Sequence, residues 1–382
     1  MNIAIIITQP FDPDAGGVQR VTDNISKIFK ANSHTVSIIS FNNEISNSLD
    51  PSISVFSVKS DYELKEVLSE LSVDIIINQE GYSLKFTKII LKSKTKKVKL
   101  INNLHINPLN FYQNHNLFIS TFLESKNLGF LNNFVLRKLI LGYHIVKQNI
   151  ELYYIIKKTD AFVMLSGKFK AELFFLAPVL KKYKNKIHGI GNPFQRPSLD
   201  ISKLEKENII LFVGRLNILQ KRVDLLLEIW KKLHEQAPDW RFWVCGEGED
   251  KCYMEQFCHE NKLDRITFFG KVDPTVYYKK AKLFHMTSAF EGFGNVLIEA
   301  QSYGCVPMLF DSYAAATDII NHNKNGILIQ PFDVNSYVEE TIVLINKPEK
   351  ITEMANHGYE NVLRFSYEES YKKWEHVFES LK

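Results

Sequence analysis

The apolar residues follow two alternating patterns along the chain. Short runs rich in β-branched residues, typical of strands buried on both faces of a parallel sheet, are each followed by a stretch with helical spacing. In the first half the predicted strands are residues 3–8, 35–41, 52–58, 73–78, 98–104 and 161–166. Regular alternation of strand and helix predicts an α/β fold with doubly wound parallel sheets.

The same alternation restarts after a break near residue 195. Glycines and prolines interrupt regular structure over residues 189–197, and residues 198–208 are polar and charged. Beyond the break, the predicted strands are residues 208–214, 240–245, 266–270 and 283–286. We therefore predict two Rossmann-like domains, residues 1–195 and 205–360. The final stretch, residues 367–382, has the spacing of an amphipathic helix, which we expect to pack back on the first domain.

Composition supports this division and limits the class of protein. A chain of 382 residues is too long for one ordinary core. Its four cysteines form no metal-binding or disulfide pattern, which favours reduced thiols in a cytoplasmic protein. The first residues lack a basic leader, and no uncharged apolar run is long enough to cross a bilayer. We expect a cytoplasmic protein with no membrane-spanning segment.

Charge is distributed unevenly. Residues 1–195 contain 24 Lys and Arg against 15 Asp and Glu, whereas residues 196–382 contain 23 against 28. The basic half includes a long helical region, residues 111–158, that is rich in aromatic residues and lysines, and a lysine cluster at 85–99. An anionic membrane surface on the inner face of the cell membrane is one candidate partner. A helix buried on one side with a solvated lysine face is the alternative. A nucleic-acid partner is not expected, because no recognised binding module is present.

The densest group of candidate site residues lies between residues 284 and 309. A polar loop with Ser288, Glu291 and two glycines leads into a predicted helix that carries Glu299. Glycines at such a junction let a ligand approach the backbone, and the helix N-terminus offers unpaired N–H groups to an anion. Carboxylates accept hydrogen bonds from sugar and ribose hydroxyls. The combination suits a nucleotide-sugar.

The spacing of Glu291 and Glu299 resembles the E-x7-E signature of retaining glycosyltransferases of the GT-B fold, in particular family 4. The resemblance implies two Rossmann-like domains facing a cleft. It also implies transfer of a glycosyl unit from a nucleotide diphosphate-sugar with retention of anomeric configuration, with Glu291 on the sugar hydroxyls and Glu299 on the ribose. It is strong over residues 208–330 and weak over 40–160, where the acceptor would bind.

Two cations match the same family. Arg215 follows a predicted strand and Lys221 precedes a predicted helix, so both can converge on a diphosphate. The family uses this G-R-L-x4-K pattern in place of a metal. His105, immediately after a predicted strand, corresponds to a family histidine that faces the transferred sugar. We therefore expect Glu291, Arg215, Lys221 and His105 to be catalytic.

The resemblance also implies a set of donor-binding residues around these four. Gly16 and Gly17, between the first strand and helix, match the first glycine-rich loop of the family, and Glu299 belongs to the motif. The remaining predicted donor contacts are Gly214, Gly246, Val272, Ser288, Gly292, Phe293, Gly294, Asn295 and Val296. The sequence departs from the family at Asn192, which precedes proline rather than glycine, and at Asp318, where Glu is usual.

No metal or cofactor is expected. Asp12 and Asp14 spell D-x-D, a metal motif of another glycosyltransferase architecture, but acidic residues are common in loops and a GT-B protein does not need the metal. The predicted partners are a nucleotide-sugar donor, with UDP-sugar favoured, and a glycan or lipid-linked glycan acceptor of bacterial surface polysaccharide synthesis. Two alternatives stay open: a sugar-nucleotide epimerase, and a non-catalytic nucleotide-sugar-binding or scaffold subunit of a polysaccharide assembly complex.

Overall fold

The computed structural model describes residues 1–42 and 53–382. Residue 52, where the third predicted strand begins, lies outside these ranges. The chain forms two compact units. The first combines Met1–Phe194 with the C-terminal Phe365–Lys382, and the second is Gln195–Arg364.

The first unit contains a seven-stranded parallel sheet in the order β3-β2-β1-β4-β5-β6-β7. Its strands are β1 Asn2–Ile7, β2 Thr35–Phe41, β3 Ser54–Val58, β4 Ile75–Asn78, β5 Lys99–Leu104, β6 Ala161–Met164 and β7 Ile187–Gly189. The central strands β1, β4 and β6 are buried except for Asn2 at the start of β1, as their β-branched runs predict. The order reverses between β1 and β4, where the open crevice of a doubly wound sheet lies.

Helices connect these strands: α1 Gly17–Ala31, α2 Asp61–Glu70, α3 Leu84–Ser93, α4 Asn110–Ser125, α5 Phe134–Lys158 and α6 Phe169–Leu176. The helical region predicted over residues 111–158 is thus two helices. Asn127 adopts a left-handed conformation that ends α4, with Leu128 N donating to Leu123 O. The side chain of Asn133 then caps α5 by accepting from Leu136 N. The residues between them include a short 3-10 turn, Gly129–Leu131.

The second unit is built on a six-stranded parallel sheet in the order β10-β9-β8-β11-β12-β13. The strands are β8 Glu207–Val213, β9 Arg241–Cys245, β10 Ile266–Gly270, β11 Ala281–Met286, β12 Val306–Phe310 and β13 Ile327–Ile329. The helices are α7 Ile218–Lys221, α8 Val223–Gln236, α9 Lys251–Glu260, α10 Thr275–Lys280, α11 Asn295–Ser302, α12 Ala316–Ile319, α13 Val334–Ile345 and α14 Pro348–Asn361. These two parallel sheets confirm the predicted α/β, doubly wound fold class.

The last helix, α15 Tyr367–Glu379, belongs to the first unit. Its buried face, formed by Trp374, Val377 and Phe378, joins the hydrophobic cluster of β1 and α1. The Trp374 ring meets Phe29 edge to face at a centroid distance of 5.4 Å. No helix among the described residues is both long and apolar enough to span a bilayer.

A buried histidine lies in the core of the second unit. His285 of β11 is 1% exposed, and its ring packs against Tyr337 with centroids 4.9 Å apart. Burial lowers the pKa of His285 to about 3, because the desolvated site disfavours the imidazolium. In the unfolded chain a histidine titrates near pH 6.5. As pH falls from about 6.5 toward 3, the unfolded state therefore binds a proton that the folded state does not.

We expect His285→Phe to make the second unit less sensitive to acid. In the wild-type protein, His285 lowers the free energy of unfolding by up to about 1.4 kcal/mol for each pH unit below 6.5. Phenylalanine keeps the ring contact with Tyr337 but does not titrate. Urea unfolding between pH 7.5 and 4.5 measures the difference, with the exposed His259→Phe as control. Equal pH slopes for wild type and His285→Phe would contradict this account.

Candidate functional site

The reversal of strand order in the second sheet lies between β8 and β11, which are neighbours. Ligands of doubly wound sheets bind outside the carboxyl ends of the strands at such a point. Arg215 follows the end of β8 by two residues, and Ser288 and Glu291 follow the end of β11 by two and five. The topology therefore brings the predicted basic and acidic residues to one edge of one sheet.

Lys221 and Glu291 form an ion pair at this edge. Lys221 Nζ lies 2.5 Å from Glu291 Oε1, and the two side chains are 12% and 11% exposed. Ser288 Oγ donates to the same carboxylate oxygen at 2.7 Å, and Gln220 Nε2 lies 3.4 Å from Oε2. Without ligand, the ammonium and the carboxylate thus neutralise each other. The sequence analysis predicted Lys221 and Glu291 for the site. It predicted neither the ion pair between them nor the contact of Gln220 with Glu291.

A short helix and two loop contacts position Lys221. Asn217 caps α7 by accepting from Gln220 N, and the left-handed Arg222, with φ of 48°, turns the chain from α7 into α8. Thr287 Oγ1 donates to the carbonyl of Lys221 at 2.8 Å. Ala289 N donates to Gln220 O at 2.7 Å. The loop after β11 is therefore tied to the backbone that carries Lys221.

Thr287 is a residue that the sequence did not single out, and it makes a testable contribution. We expect Thr287→Val, which keeps the shape but removes the hydroxyl, to lower transfer about tenfold by loosening the backbone of Lys221. Thr287→Ser keeps the hydroxyl and serves as the matched control. Rates of donor turnover measure the effect. Equal rates for Thr287→Val and wild type would show that the hydrogen bond does not position Lys221.

Arg215 differs from Lys221 in being exposed. Within residues 1–42 and 53–382 its guanidinium makes no ion pair or hydrogen bond, so its five donors face solvent at the sheet edge. Gly214, just before it, lies close to the lysine: a Cβ at Gly214 would stand 3.4 Å from Lys221 Cε. Gly246, after β9, packs directly against this loop. A Cβ added at Gly246 would lie 1.8 Å from Gly214 O, so no side chain fits there. A packing role for Gly246 is therefore evident.

The loop before α11 contains the predicted donor contacts Gly292, Phe293 and Gly294, and the first turn of α11 contains Asn295 and Val296. Gly294 has φ of 98°, a conformation that favours glycine, and precedes the first residue of α11. A Cβ there would lie 2.5 Å from the hydroxyl oxygen of the buried Tyr313. That hydroxyl has no hydrogen-bond partner in the described part of the chain. Desolvation and the nearby carboxylate of Glu291 hold the pKa of Tyr313 well above its usual range, so it stays a neutral donor.

Glu299 lies on α11, one turn into the helix. Its carboxylate accepts a hydrogen bond from the buried Tyr278 hydroxyl, with Oε2 at 3.2 Å. Desolvation, followed by the charge of Glu299, raises the pKa of Tyr278 well above its usual range. The tyrosine thus remains a donor and orients the carboxylate, while Glu299 keeps a partly exposed surface.

Three predicted residues lie in the first unit, at the carboxyl edge of its sheet. Gly16 is the N-cap of α1 and Gly17 its first residue, and a Cβ at either would meet no atom within 4 Å, so packing does not require glycine there. His105 follows β5, and its Nε2 lies 2.6 Å from Gln79 Oε1. Because an amide oxygen only accepts, Nε2 carries the proton in this contact. Burial lowers the pKa of His105 to about 4, which keeps the ring neutral near pH 7.

Gln79 is a further residue that the sequence analysis missed, after Gln220 and Thr287. It directly follows β4, and its Oε1 also accepts from Asn103 Nδ2 at 3.0 Å. The sequence does contain a feature that could have identified Gln79: it is a polar residue immediately after a buried strand. The same feature identified His105. Gln79 thus holds His105 at the reversal of strand order in the first sheet.

The remaining residues discussed from the sequence, Val272 and the D-x-D pair, lie apart from the group around Lys221 and Glu291. Val272 is exposed and lies two residues after the end of β10, which is the edge strand of the second sheet. Asp12 Oδ1 accepts from Asp14 N at 2.9 Å, a local turn contact. Over residues 1–42 and 53–382, no three His, Cys, Asp or Glu side chains are grouped as metal ligands.

Comparisons with known proteins find similarity to glycosyltransferases. Residues 196–361 match the family model of glycosyl transferases group 1. An uncharacterised glycosyltransferase of Haemophilus influenzae is 26% identical over 359 residues, 90% of both chains. A poly(ribitol-phosphate) alpha-N-acetylglucosaminyltransferase of Staphylococcus aureus is 28% identical over 51% of this chain and 38% of its own. A Campylobacter jejuni alpha-1,4-N-acetyl-D-galactosaminyltransferase, named for a diNAcBac-PP-undecaprenol acceptor, is 25% identical over 45% of this chain and 48% of its own.

Solved structures show the fold over the full length. The lipopolysaccharide outer core galactosyltransferase WaaB superposes with a TM-score of 0.70 at 19% identity, covering 100% of this chain and 99% of WaaB. Anabaena Alr3699/HepE in complex with UDP-glucose gives a TM-score of 0.72 at 16% identity, with 100% of both chains covered. The chain has the GT-B fold, and its residues 196–361 are similar to the glycosyl transferases group 1.

Proposed function

We propose that the protein is a retaining glycosyltransferase of family 4 that moves a sugar from a nucleotide diphosphate-sugar to a glycan acceptor without a metal. The observation that carries this proposal is the group formed by Arg215, Lys221, Ser288 and Glu291 at the strand reversal of the second sheet. It offers one exposed guanidinium and one ammonium to a diphosphate, and a carboxylate with a hydroxyl to sugar hydroxyls.

A donor that binds Lys221 must replace Glu291 as the partner of its ammonium, because the two side chains form an ion pair. The diphosphate takes over the ammonium of Lys221, and the sugar hydroxyls donate to the released carboxylate of Glu291. Each charged group exchanges one charged partner for the ligand, so neither is left unpaired in a poorly solvated site. A nucleotide without a sugar can satisfy the lysine but leaves Glu291 with the hydroxyl of Ser288 and without sugar hydroxyl donors.

Transfer breaks the bond between the anomeric carbon and a diphosphate oxygen and forms a bond from that carbon to the acceptor oxygen. We propose that both events occur on the same face of the sugar, and that the acceptor proton passes to the departing diphosphate. Negative charge grows on the leaving group, where Arg215, Lys221 and the N-terminus of α11 stabilise it. Glu299 accepts from the ribose, and the neutral His105 forms a hydrogen bond with the transferred sugar.

The two units would divide the substrates. We propose that residues 205–360 bind the donor and that residues 1–195, together with the helix at 367–382, bind the acceptor. UDP-sugar is the favoured donor, since a full-length structural neighbour binds UDP-glucose. A lipid-linked intermediate of bacterial surface polysaccharide is the favoured acceptor, since a relative is named for an undecaprenol-linked one. We propose a cytoplasmic location, from which such an acceptor would bring the protein to the inner face of the cell membrane.

Thermal unfolding with a panel of UDP-, GDP- and ADP-sugars, in the presence of EDTA, tests the donor proposal. A ligand that binds only the folded state raises the apparent stability. We expect a rise in Tm with UDP-sugars that exceeds the rise with GDP- or ADP-sugars. A selective rise with another nucleotide would correct the donor, and no rise with any of them would contradict the site. A rise without turnover on any glycan acceptor would favour the non-catalytic binding subunit.

A further inference from the structure

The α4–α5 hairpin of the first unit presents an apolar face that no other described part of the chain covers. Val135, Leu139, Tyr143, Val146 and Ile150 of α5 are between 59% and 67% exposed. We call these five residues the apolar stripe. Because an α-helix turns by about 100° per residue, they lie within an arc of about 80° along one side of α5. The stripe is a continuous face, whereas exposed apolar residues of ordinary surfaces are scattered.

Aromatic side chains extend the stripe at its N-terminal end. Phe130, in the turn before α5, is 81% exposed, and Phe134, at the start of α5, is 69% exposed. Phe122 of α4 is also exposed. The residues of α5 that pack into the unit, such as Leu152, Ile155 and Ile156, belong to its C-terminal half. The N-terminal half of α5 therefore gains little from the fold, and its apolar side faces outward.

The charge around the stripe has one sign. Residues 126–150 contain Lys126, Arg137, Lys138 and Lys147, and no Asp or Glu. Lys138 and Lys147 are exposed and flank the stripe on α5. A helix with an apolar face bordered by lysines lies in a bilayer interface, where the lysine stems follow the apolar surface and the ammonium groups reach the phosphates.

A lysine-lined groove lies beside the C-terminal half of α5. Lys85, Lys88 and Lys92 of α3 and Glu151 of α5 line this groove of about 430 Å³. Lys88 Nζ stands 5.3 Å from the ring centroid of Tyr154, which holds the two helices side by side. Three ammonium groups and one carboxylate leave the groove with a net positive charge, suited to an anionic lipid headgroup.

We propose that the apolar stripe, with Phe130 and Phe134, docks the protein on an anionic lipid bilayer. The helix α5 inserts its apolar side among the headgroups and acyl chains, and the flanking lysines pair with lipid phosphates. A second copy of the chain is a poorer occupant, because an antiparallel pair of stripes would bring Lys138 and Lys147 of each copy near those of the other. The docking rests on the proposed function for its purpose, access to a lipid-linked acceptor.

Co-sedimentation of the full chain with vesicles tests this surface. The vesicles are phosphatidylcholine alone or phosphatidylcholine with an equal share of phosphatidylglycerol. We expect the wild-type protein to pellet with the anionic vesicles and to bind at least tenfold less to the neutral ones. We expect Leu139→Glu/Val146→Glu to lose at least tenfold in binding to anionic vesicles. The matched control is Val276→Glu/Val343→Glu, at positions of the second unit that are 58% and 47% exposed, and it should bind like wild type.

Further variants and readouts make each outcome decisive. Lys138→Gln/Lys147→Gln, which leaves the apolar side chains intact, should weaken binding to anionic vesicles and reduce its salt dependence. Wild-type protein that stays in the supernatant, or a stripe variant that pellets normally, would overturn the proposal. So would light scattering that shows a wild-type dimer converted to monomer by Leu139→Glu/Val146→Glu. A rise in Tm with any UDP-, GDP- or ADP-sugar separates the two claims. Vesicle binding without such a rise would contradict the proposed function, and such a rise without vesicle binding would contradict the docking surface.

Discussion

Lys221→Ala is expected to lower the rate of sugar transfer by about 10²–10³-fold, the loss seen when one charge-stabilising group is removed from a preorganised site. The ammonium of Lys221 is held 2.5 Å from Glu291 by a backbone that Thr287 and Ala289 fix. Once the donor has displaced Glu291 from the ammonium, Lys221 therefore meets the leaving diphosphate without movement of its backbone. Steady-state rates of nucleotide release in the presence of acceptor measure the loss.

The variant should remain folded, although less stable. The carboxylate of Glu291 loses its cation but still accepts from Ser288 Oγ at 2.7 Å. Circular dichroism and Tm report on folding, and Lys221→Arg tests whether a cation of another shape recovers part of the rate. Lys232→Ala is the matched control, because Lys232 is exposed in the same unit and bonds only Asn335 among the described residues. A near-wild-type rate for Lys221→Ala would refute the assigned role.

Glu291→Gln is expected to separate donor binding from transfer. The amide keeps a hydrogen-bond acceptor for Ser288 but removes the negative charge that competes with phosphate for Lys221. We therefore expect UDP alone to bind about fivefold more tightly, a gain of about 1 kcal/mol, because it no longer competes with a carboxylate for the ammonium. Transfer should fall by about 10²-fold, because the neutral amide holds the sugar hydroxyls less strongly as positive charge develops on the ring.

Calorimetric titration with UDP and rate measurements on the same samples test this pair of opposite effects. Glu339→Gln, an exposed glutamate of α13, is the matched control and should change neither value. A parallel loss of UDP affinity and of transfer would mean that Glu291 supports the structure of the loop. Unchanged transfer would remove Glu291 from the mechanism.

The fold class could be predicted because the strands are continuous apolar runs. Residues 208–214 were predicted as a strand, and β8 is Glu207–Val213. The helix predicted to follow Lys221 is α8, Val223–Gln236. Each strand that ends at a glycine or polar residue also places that residue at the carboxyl edge of a parallel sheet. This is why the positions of Arg215, Ser288 and His105 follow from the sequence.

Contacts that depend on loop conformation could not be predicted. The turn that places Lys221 near Glu291 relies on the left-handed Arg222, and a long side chain in that conformation gives no signal in the sequence. The hydroxyl of Tyr313 reaches Gly294 from the chain after β12, nineteen positions further along the sequence. The boundary between α4 and α5 was missed because apolar residues continue through the turn that contains Gly129. In each case the cause is a tertiary contact or a backbone angle, and hydrophobic periodicity reports neither.

The central claim is a metal-independent transfer that retains anomeric configuration. Its most direct test is NMR spectroscopy of the product formed from a UDP-α-sugar and a glycan acceptor in excess EDTA. We predict a new glycosidic anomeric proton with the small coupling of an α linkage, formed at a rate that EDTA does not change. A β-linked product would contradict retention, and loss of product in EDTA would contradict a site in which Arg215 and Lys221 replace the metal.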